Sequence, residues 1–551
     1  MPETTYDALV IGSGAAGSFA VKELTDQGLR VLLLEAGPEI GPKDFDPSKK
    51  KVSMSSVNVW ERAIATLKGQ PVQARAMFFS GRFGRFFVND FKNPYTTPRG
   101  EPFLWIRGRQ AGGRLHSFGR VLLRWTDDDF KMASRYGRGV DWPISYDDVS
   151  PYYEEVESHL GIYGNEDGVD TLPDSIYAHP AKLTPGEQVF KHAVEDRWSD
   201  RRVVSWRYYV AEPERVPRPL RTALESGRLS VRYNAVARRV VTDDLTGRAI
   251  GAEFVDRLTG KVETVRAASV VLCASPIESI RLMLNSASNS HPDGLGNSSG
   301  TLGRYFMDQL PCIMAGSFPK VRGWAPDDSS PEDPFYGVTG GVFIPRFLGR
   351  DGKQSGLFNY QGTVGRMVTA SDGPARLSFF GFGPMLPHAD NRVTLNPRRK
   401  DAWGIPVPHI RCVLHEEEKS LLRDQQTTIV DLVREVGGEP EFVGSPLGLT
   451  EMGRGAFPDE SLFNRLMFKM FFGRTMMMGA AIHESGGARM GNDRASSVLD
   501  GWNRSWDVPN LVVSDASAFA GSGAVGTTLT IMALTVRACR RLAEDLKAGR
   551  L

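Results

Sequence analysis

The sequence predicts an α/β fold, α+β overall, with a parallel-sheet nucleotide domain and a second sheet-based domain. Three observations predict it. Residues 6–34 run apolar strand, glycine-rich turn, amphipathic segment, apolar strand, which is the opening of a parallel sheet. Buried-strand patterns return far downstream, at 268–273 and 511–514. Between about 310 and 415 the pattern changes to short runs split by Gly, Pro and Asp, as expected for a separate sheet.

Bulk properties narrow the classes. With 551 residues, 41% of them hydrophobic, the chain has material for two or three domains and a large core. Its 67 basic and 65 acidic residues leave a net charge of +2, so nothing electrostatic favours nucleic acid or an anionic membrane. Arg215 and Arg218 could form a local basic patch, but a solvated face explains them more simply. Cys273, Cys312, Cys412 and Cys539 are too few for a disulfide framework and lack metal-ligand spacing, so buried free thiols and no metal are expected. No apolar run reaches 18 residues, so no membrane span is expected. The N-terminus lacks a basic region and cleavage site, so a cytoplasmic protein is expected.

Taken in order, residues 6–11 read as a buried strand, about 16–26 as a helix and 30–34 as a second strand ending at Glu35. Residues 40–100, rich in Lys, Phe and Pro, read as loops and short helices, and 146–160 as a helix. The run Asp127-Asp128-Asp129 reads as a helix-start cap, since consecutive carboxylates diverge and suit a metal poorly. Residues 229–266 alternate around the turn 243–247 as antiparallel strands, and 268–273 leads into a helix near 277–285. A charged amphipathic helix is expected over 416–436 and a closing helix over 528–546. The Phe- and Met-rich stretch 461–478 reads first as core, with an approach to the active site as the other use.

The turn Gly12-Ser13-Gly14-Ala15-Ala16-Gly17 carries the first chemical inference. Gly12 permits the tight turn, Gly14 lets the backbone approach a pyrophosphate, and Gly17 lets helix and sheet pack closely. The helix start then offers free N–H groups to the phosphates. Glu35, at the end of the second strand, has the spacing of the acid that bonds a ribose hydroxyl. The loop alone does not separate NAD from FAD. Its place at the start of a long chain, with more sheet far downstream, leans towards FAD.

Five segments together resemble the glucose–methanol–choline (GMC) oxidoreductases, FAD-dependent enzymes that oxidise alcohols. They are the N-terminal loop continuing to Leu34-Glu35-Ala36-Gly37-Pro38; Arg107-Gly108-Arg109-Gln110-Ala111-Gly112-Gly113-Arg114; residues 268–285 with Cys273-Ala274-Ser275-Pro276; His483-Glu484-Ser485-Gly486-Gly487-Ala488-Arg489-Met490-Gly491; and 508–517 followed by Thr528-Leu529-Thr530-Ile531. Asn93-Pro94-Tyr95, Asp141-Trp142-Pro143 and Leu386-Pro387-His388-Ala389-Asp390-Asn391-Arg392 look like the bacterial dehydrogenases and oxidases of sugars and glycosides.

The resemblance implies a Rossmann-like FAD-binding domain over 1–165, 195–315 and 476–551, with the substrate-binding domain over 166–194 and 316–475. It places Gly112 and Gly113 along the flavin, the backbone of Val236 at the adenine, and Asp515 and Ala516 by the ribityl and pyrophosphate. Thr527, Thr528 and Leu529 fall at the pyrimidine end. Ala111 and Ala274 belong to the same contacts, and one or two of Arg107, Arg109 and Arg114 reach the cofactor; the other arginines here, Arg120 and Arg124 among them, are expected in structural ion pairs. Where some relatives attach flavin through a histidine, this chain has Ser117, so non-covalent FAD is expected, with His116 at most a neighbour of the ring.

Oxidising an alcohol removes a proton from oxygen and a hydride from carbon. Flavin N5 accepts the hydride, so the protein must supply the base. Among nine histidines His483 sits at the family's catalytic position, and a neutral imidazole suits the task. The family's second His or Asn falls here on Gly526, which has no side chain. Thr527 is the candidate for orienting substrate in its place; Thr528, water or a residue of the second domain are the others. The implied activity converts a hydroxyl of a sugar, glycoside or amino sugar to a carbonyl. A non-sugar alcohol dehydrogenase or oxidase, a flavin-bound lyase and a catalytically silent flavoprotein are the alternatives, and the intact His483 segment speaks against the last. The electron acceptor, oxygen or another molecule, is left open; no haem-attachment motif suggests a built-in relay.

Overall fold

The first strand, β1 (Ala8–Ile11), is buried at every residue. It runs straight into the glycine turn and then α1 (Ala15–Asp26), which returns antiparallel to β2 (Val31–Leu34). β1 and β2 pair in parallel, so the two strands and their helix make one crossover unit. The computed structural model describes residues 6–46, 59–322, 331–347, 357–366, 373–453 and 462–551. Residues 47–58 of the expected irregular stretch and residue 461 of the Phe- and Met-rich stretch lie outside these.

Three later segments complete the first sheet. Leu229–Arg232 pairs with β2, Val270–Leu272 with β1, and Leu511–Val513 with Val270–Leu272, all in parallel. Numbered along the chain, the strand order is 3-2-1-4-5, that of a dinucleotide-binding half. The order reverses between β1 and Val270–Leu272. A crevice opens there, at the carboxyl ends of the strands. Beyond Leu229–Arg232, Asn234 takes a left-handed turn (φ 58°) into the antiparallel sheet Ala235–Thr242, Ala249–Asp256 and Val262–Arg266. The backbone N–H of Ala235 donates to Glu35 O at 2.9 Å, which ties this sheet to the end of β2.

The second large sheet has seven strands and is antiparallel. Its order is Gly448–Glu451, Glu439–Ser445, Gln309–Arg322, Pro374–Pro384, Asn359–Val364, Val342–Ile344 and Val204–Ser205. Val204–Ser205 and the start of Gln309–Arg322 thus hydrogen-bond into this sheet, although both lie within segments expected for the nucleotide domain. Side chains alternate across a strand. One face, with Tyr360, takes the helix Glu416–Glu435; Tyr360 donates to Gln425 O at 2.6 Å. Register places Gln309, Pro311, Phe382, Phe380 and Gln361 on the other face.

Most expected elements are present, with shifted ends. The helix expected from 146 begins at Ser150, because Pro151 is accommodated only in a first turn. Asp127–Phe130 is a short helix in which Thr126 and Asp129 cap each other reciprocally, and Asp129 pairs with Arg346 at 2.7 Å. All four cysteines are free and buried. Arg215 pairs with Asp333 and Arg218 with Glu212, so these arginines are charge-balanced. The Phe- and Met-rich stretch is not uniformly core. The helix Leu462–Thr475 lies at the surface, leaving Leu462, Phe463, Leu466 and Met470 exposed, while Phe472, Met476 and Met478 are buried. Among the described residues no helix is long and apolar enough to cross a membrane.

Candidate active site

One cleft of about 650 Å³ runs from the glycine turn to the inner face of the seven-stranded sheet. At one end lie Gly12, Ser13, Gly14, Ala15, Ala16, Glu35 and Ala36; at the other, Phe380, Phe382, Gln361 and His483.

The nucleotide end is built by backbone. Gly12 has φ +99°, and a Cβ there would come within 2.5 Å of Cys273 O. A Cβ on Gly17 would lie 1.7 Å from Gly12 O, so this glycine lets α1 sit against the turn. Gly14 differs: a Cβ there meets nothing within 4 Å. Gly14 is also the N-cap of α1 and provides no side-chain cap, so the first amides of α1 are left for a ligand at the cleft. That open cradle and the uncapped helix start fit a pyrophosphate. The Glu35 carboxylate is anchored by Ser13, through N at 3.1 Å and Oγ at 2.6 Å, and by Gly37 N at 2.8 Å. Burial outweighs those hydrogen bonds and raises its pKa. Ser13 Oγ also accepts from Gly112 N at 3.0 Å, joining the turn to the second glycine pair.

The remaining expected contacts divide. Arg107, Arg109, Gly113, Arg114, Ser117, Val236, Ala274, Asp515, Thr527 and Thr528 line the cleft. Gly17, Ala111, Gly112, Ala516 and Leu529 do not; they are buried behind its wall. Arg107 and Arg109 both reach Glu278, at 3.4 and 2.9 Å. Burial pushes the Glu278 carboxyl up, but Arg109, Arg281 and Arg107 outweigh it and hold it down at about 2. Arg114 pairs with Glu484 at 2.7 Å. Arg124 pairs with Glu157, as an ion pair, whereas Arg120 lies over the Tyr336 ring at 3.9 Å. Both Asp515 oxygens are taken, by Ser517 and Ser279.

His116 is directed away from the cleft. Its Nε2 lies 2.9 Å from Ala111 O, and its ring packs on Phe45 and Phe86. Burial depresses its pKa to about 4. Its neighbours Leu115 and Ser117 line the cleft instead.

His483 is held from two sides. Ile482 before it takes a left-handed conformation (φ 61°), rare for a β-branched residue. The buried carboxylate of Asp308 accepts from His483 N and Gly479 N, both at 3.0 Å, and clamps this turn. Burial and then the neighbouring Glu484 raise the Asp308 pKa to about 7. The imidazole Nδ1 lies 2.7 Å from Gln309 Oε1. The two N–H groups of Gln309 Nε2 are shared among three carbonyls, Ser522 O, Gly523 O and Val525 O, at 2.8–3.1 Å. Three acceptors fix which end of the amide is NH₂, so its oxygen faces His483. Nδ1 therefore carries the proton and Nε2 holds the lone pair. Burial and then Arg114 lower the His483 pKa to about 3, which keeps the ring neutral. Gln309, Asp308 and Gln361 had no sequence signal; only sheet register and tertiary pairing put them here. A Cβ on Gly526 would meet only Val121 O, at 3.9 Å, so a side chain is absent there for no steric reason.

Comparison with known proteins gives these likenesses. Residues 387–535 match the family model for GMC oxidoreductase, and 10–48 that for an NAD(P)-binding Rossmann-like domain. A 2-methyl-1,2-propanediol dehydrogenase of Mycolicibacterium austroafricanum is 27% identical, over 97% of this chain and 94% of that protein. A paromamine 6'-oxidase of Streptomyces fradiae is 26% identical, over 99% and 92%. The solved structure of a formate oxidase from Aspergillus oryzae, studied for modification of its FAD, matches with a TM-score of 0.64 and 13% identity over 100% and 99% of the two chains.

Proposed function

This chain is a GMC oxidoreductase, and from that premise we propose that it oxidises a hydroxyl of a sugar, glycoside or amino sugar, with His483 as general base. The family and the fitted glycine cradle support FAD as the cofactor. When bound, FAD supplies the hydride acceptor. The rest is the work of the chain. The α1 amides and Gly14 would hold the pyrophosphate, and Glu35 would receive a ribose hydroxyl. The start of the helix Thr528–Lys547 would turn its positive dipole end to the bound flavin, with Thr527 and Thr528 lining the cleft. His483 Nε2 takes the proton of the substrate hydroxyl while Gln309 holds Nδ1–H. Phe380 and Phe382 exclude water, and Gln361 with Thr527 orients the substrate where Gly526 offers nothing.

The expected domain division, with FAD on the parallel sheet and substrate against the seven-stranded one, is part of this reading, supported by their common cleft. So is non-covalent attachment, supported by His116 turning away: acid precipitation should release the yellow colour from the protein. A cytoplasmic setting agrees with four unoxidised thiols.

The single observation carrying the proposal is the triply held Gln309 amide, which leaves Nε2 of a neutral His483 as the base. Its test is anaerobic mixing with a panel of sugars, glycosides and amino sugars, followed through flavin absorbance. Bleaching by one of them is expected. In His483→Ala, flavin content stays and kcat/KM falls about 10²–10⁴-fold. Normal turnover in that variant would sink the assignment; turnover without bleaching would point to a lyase.

A further inference from the structure

A second constellation lies outside the cleft, where the loop after Pro374–Pro384 meets the start of the helix Glu416–Glu435. His388, His415 and Glu418 each turn one ligand atom inward, all within 4.8 Å of one another. The two imidazoles stack with centroids 3.7 Å apart at 28°. His388 Nε2 lies 2.8 Å from Glu418 Oε1, and His415 Nδ1 lies 3.8 Å from Glu418 Oε2. The Glu418 side chain is 1% exposed, whereas His388 and His415 are about one-third exposed, so the group opens to solvent on one side.

The protons decide what the group can do. His415 Nε2 faces Asp390 Oδ1 at 3.4 Å. The neighbouring carboxylate favours the tautomer with the hydrogen on Nε2. The other Asp390 oxygen is held by Arg411 at 2.5 Å, which keeps this carboxylate in an outer, orienting position. His415 Nδ1 is then a bare lone pair. It is buried and has no hydrogen-bond partner. It faces an oxygen of Glu418 whose other lone pair accepts from His415 N at 2.9 Å. Two acceptors this close are costly unless a proton or a metal ion lies between them.

We propose that His388 Nε2, His415 Nδ1 and Glu418 Oε2 form a binding site for a divalent transition-metal ion of the zinc type. Ligand atoms on tetrahedral zinc stand about 3.3 Å apart. His415 Nδ1 and Glu418 Oε2 stand 3.8 Å apart and the candidate ligand atoms all lie within 4.8 Å, so small side-chain rotations complete the site, with a water as fourth ligand. The proton on His388 Nε2 moves to Nδ1 or to solvent as the metal takes its place. Asp390 stays on His415 Nε2 as the carboxylate that fixes the ring. Two imidazoles and one carboxylate favour Zn²⁺ over Mg²⁺ or Ca²⁺. The ion pins the loop that follows Phe380 and Phe382 to the helix behind their sheet. Its role is structural and does not depend on the redox reading.

The test is calorimetric titration of chelator-treated holoenzyme with ZnCl₂, and with MgCl₂ beside it. Wild type should bind one Zn²⁺ per chain with a rise in melting temperature, and no Mg²⁺. His388→Gln and His415→Gln should each lose at least tenfold in affinity, and the exposed His192→Gln should lose none. Full flavin content in the variants confirms their fold. Absence of zinc binding by wild type, or binding undiminished in both cluster variants, would overturn the proposal.

Discussion

Gln309 shows how one amide can set the tautomer of a buried histidine. Its NH₂ is shared among three carbonyls, so Gln309→Leu deprives them of this donor and frees the imidazole. That variant should lose about 1–3 kcal/mol of stability and turn over more slowly while retaining FAD. Gln309→Glu is the sharper probe. A carboxylate beside Nδ1 favours the imidazolium, so the acid limb of kcat/KM should move to higher pH than in wild type; an unmoved limb would detach Gln309 from the base. His116 yields a stability prediction. Its folded pKa of about 4 lies below the reference of about 6.5, so between those values the unfolded chain binds the extra proton. The stability that the neutral ring contributes is complete above about pH 6.5 and is lost as pH falls towards 4. The melting-temperature advantage of wild type over His116→Gln should therefore shrink across that range.

At the scale of elements, the glycine turn was legible because its constraints are local. Gly12 and Gly17 are dictated by backbone atoms a few residues or one strand away, and a spacing rule captures them. The two can be separated from Gly14 by experiment. Gly17→Ala drives a methyl into Gly12 O and should unsettle the fold with or without cofactor. Gly14→Ala meets no protein atom, so the apoprotein should melt unchanged while FAD affinity falls; an equal loss of stability in both would refute the cradle. The inner face of the seven-stranded sheet was not legible in the same way. Phe380 and Gln361 meet the cleft through register between strands, which no periodicity within one strand reveals. His388, His415 and Glu418 come together across a loop and a helix start, again with no spacing to announce them. The surface helix Leu462–Thr475 misled for the opposite reason: its apolar composition resembles a core segment, yet much of it is exposed.

The whole molecule is a parallel sheet and an antiparallel sheet facing one another across the cleft. FAD bound there would touch both, so it should stabilise the folded chain as a unit, by about 2.7 kcal/mol at a hundredfold excess over Kd. Calorimetry of apo and holo forms should show one transition moving upward on loading. The parallel sheet has a consequence in time. Val270–Leu272 is fully buried only because Leu511–Val513 covers its far edge. At ribosomal rates the gap between these two strands takes about 12–50 s to synthesise. During that interval the nascent chain exposes an apolar strand edge ready to recruit a neighbour. Recombinant yield should thus respond to growth temperature and to chaperone supply more strongly than the stability of the finished enzyme would suggest.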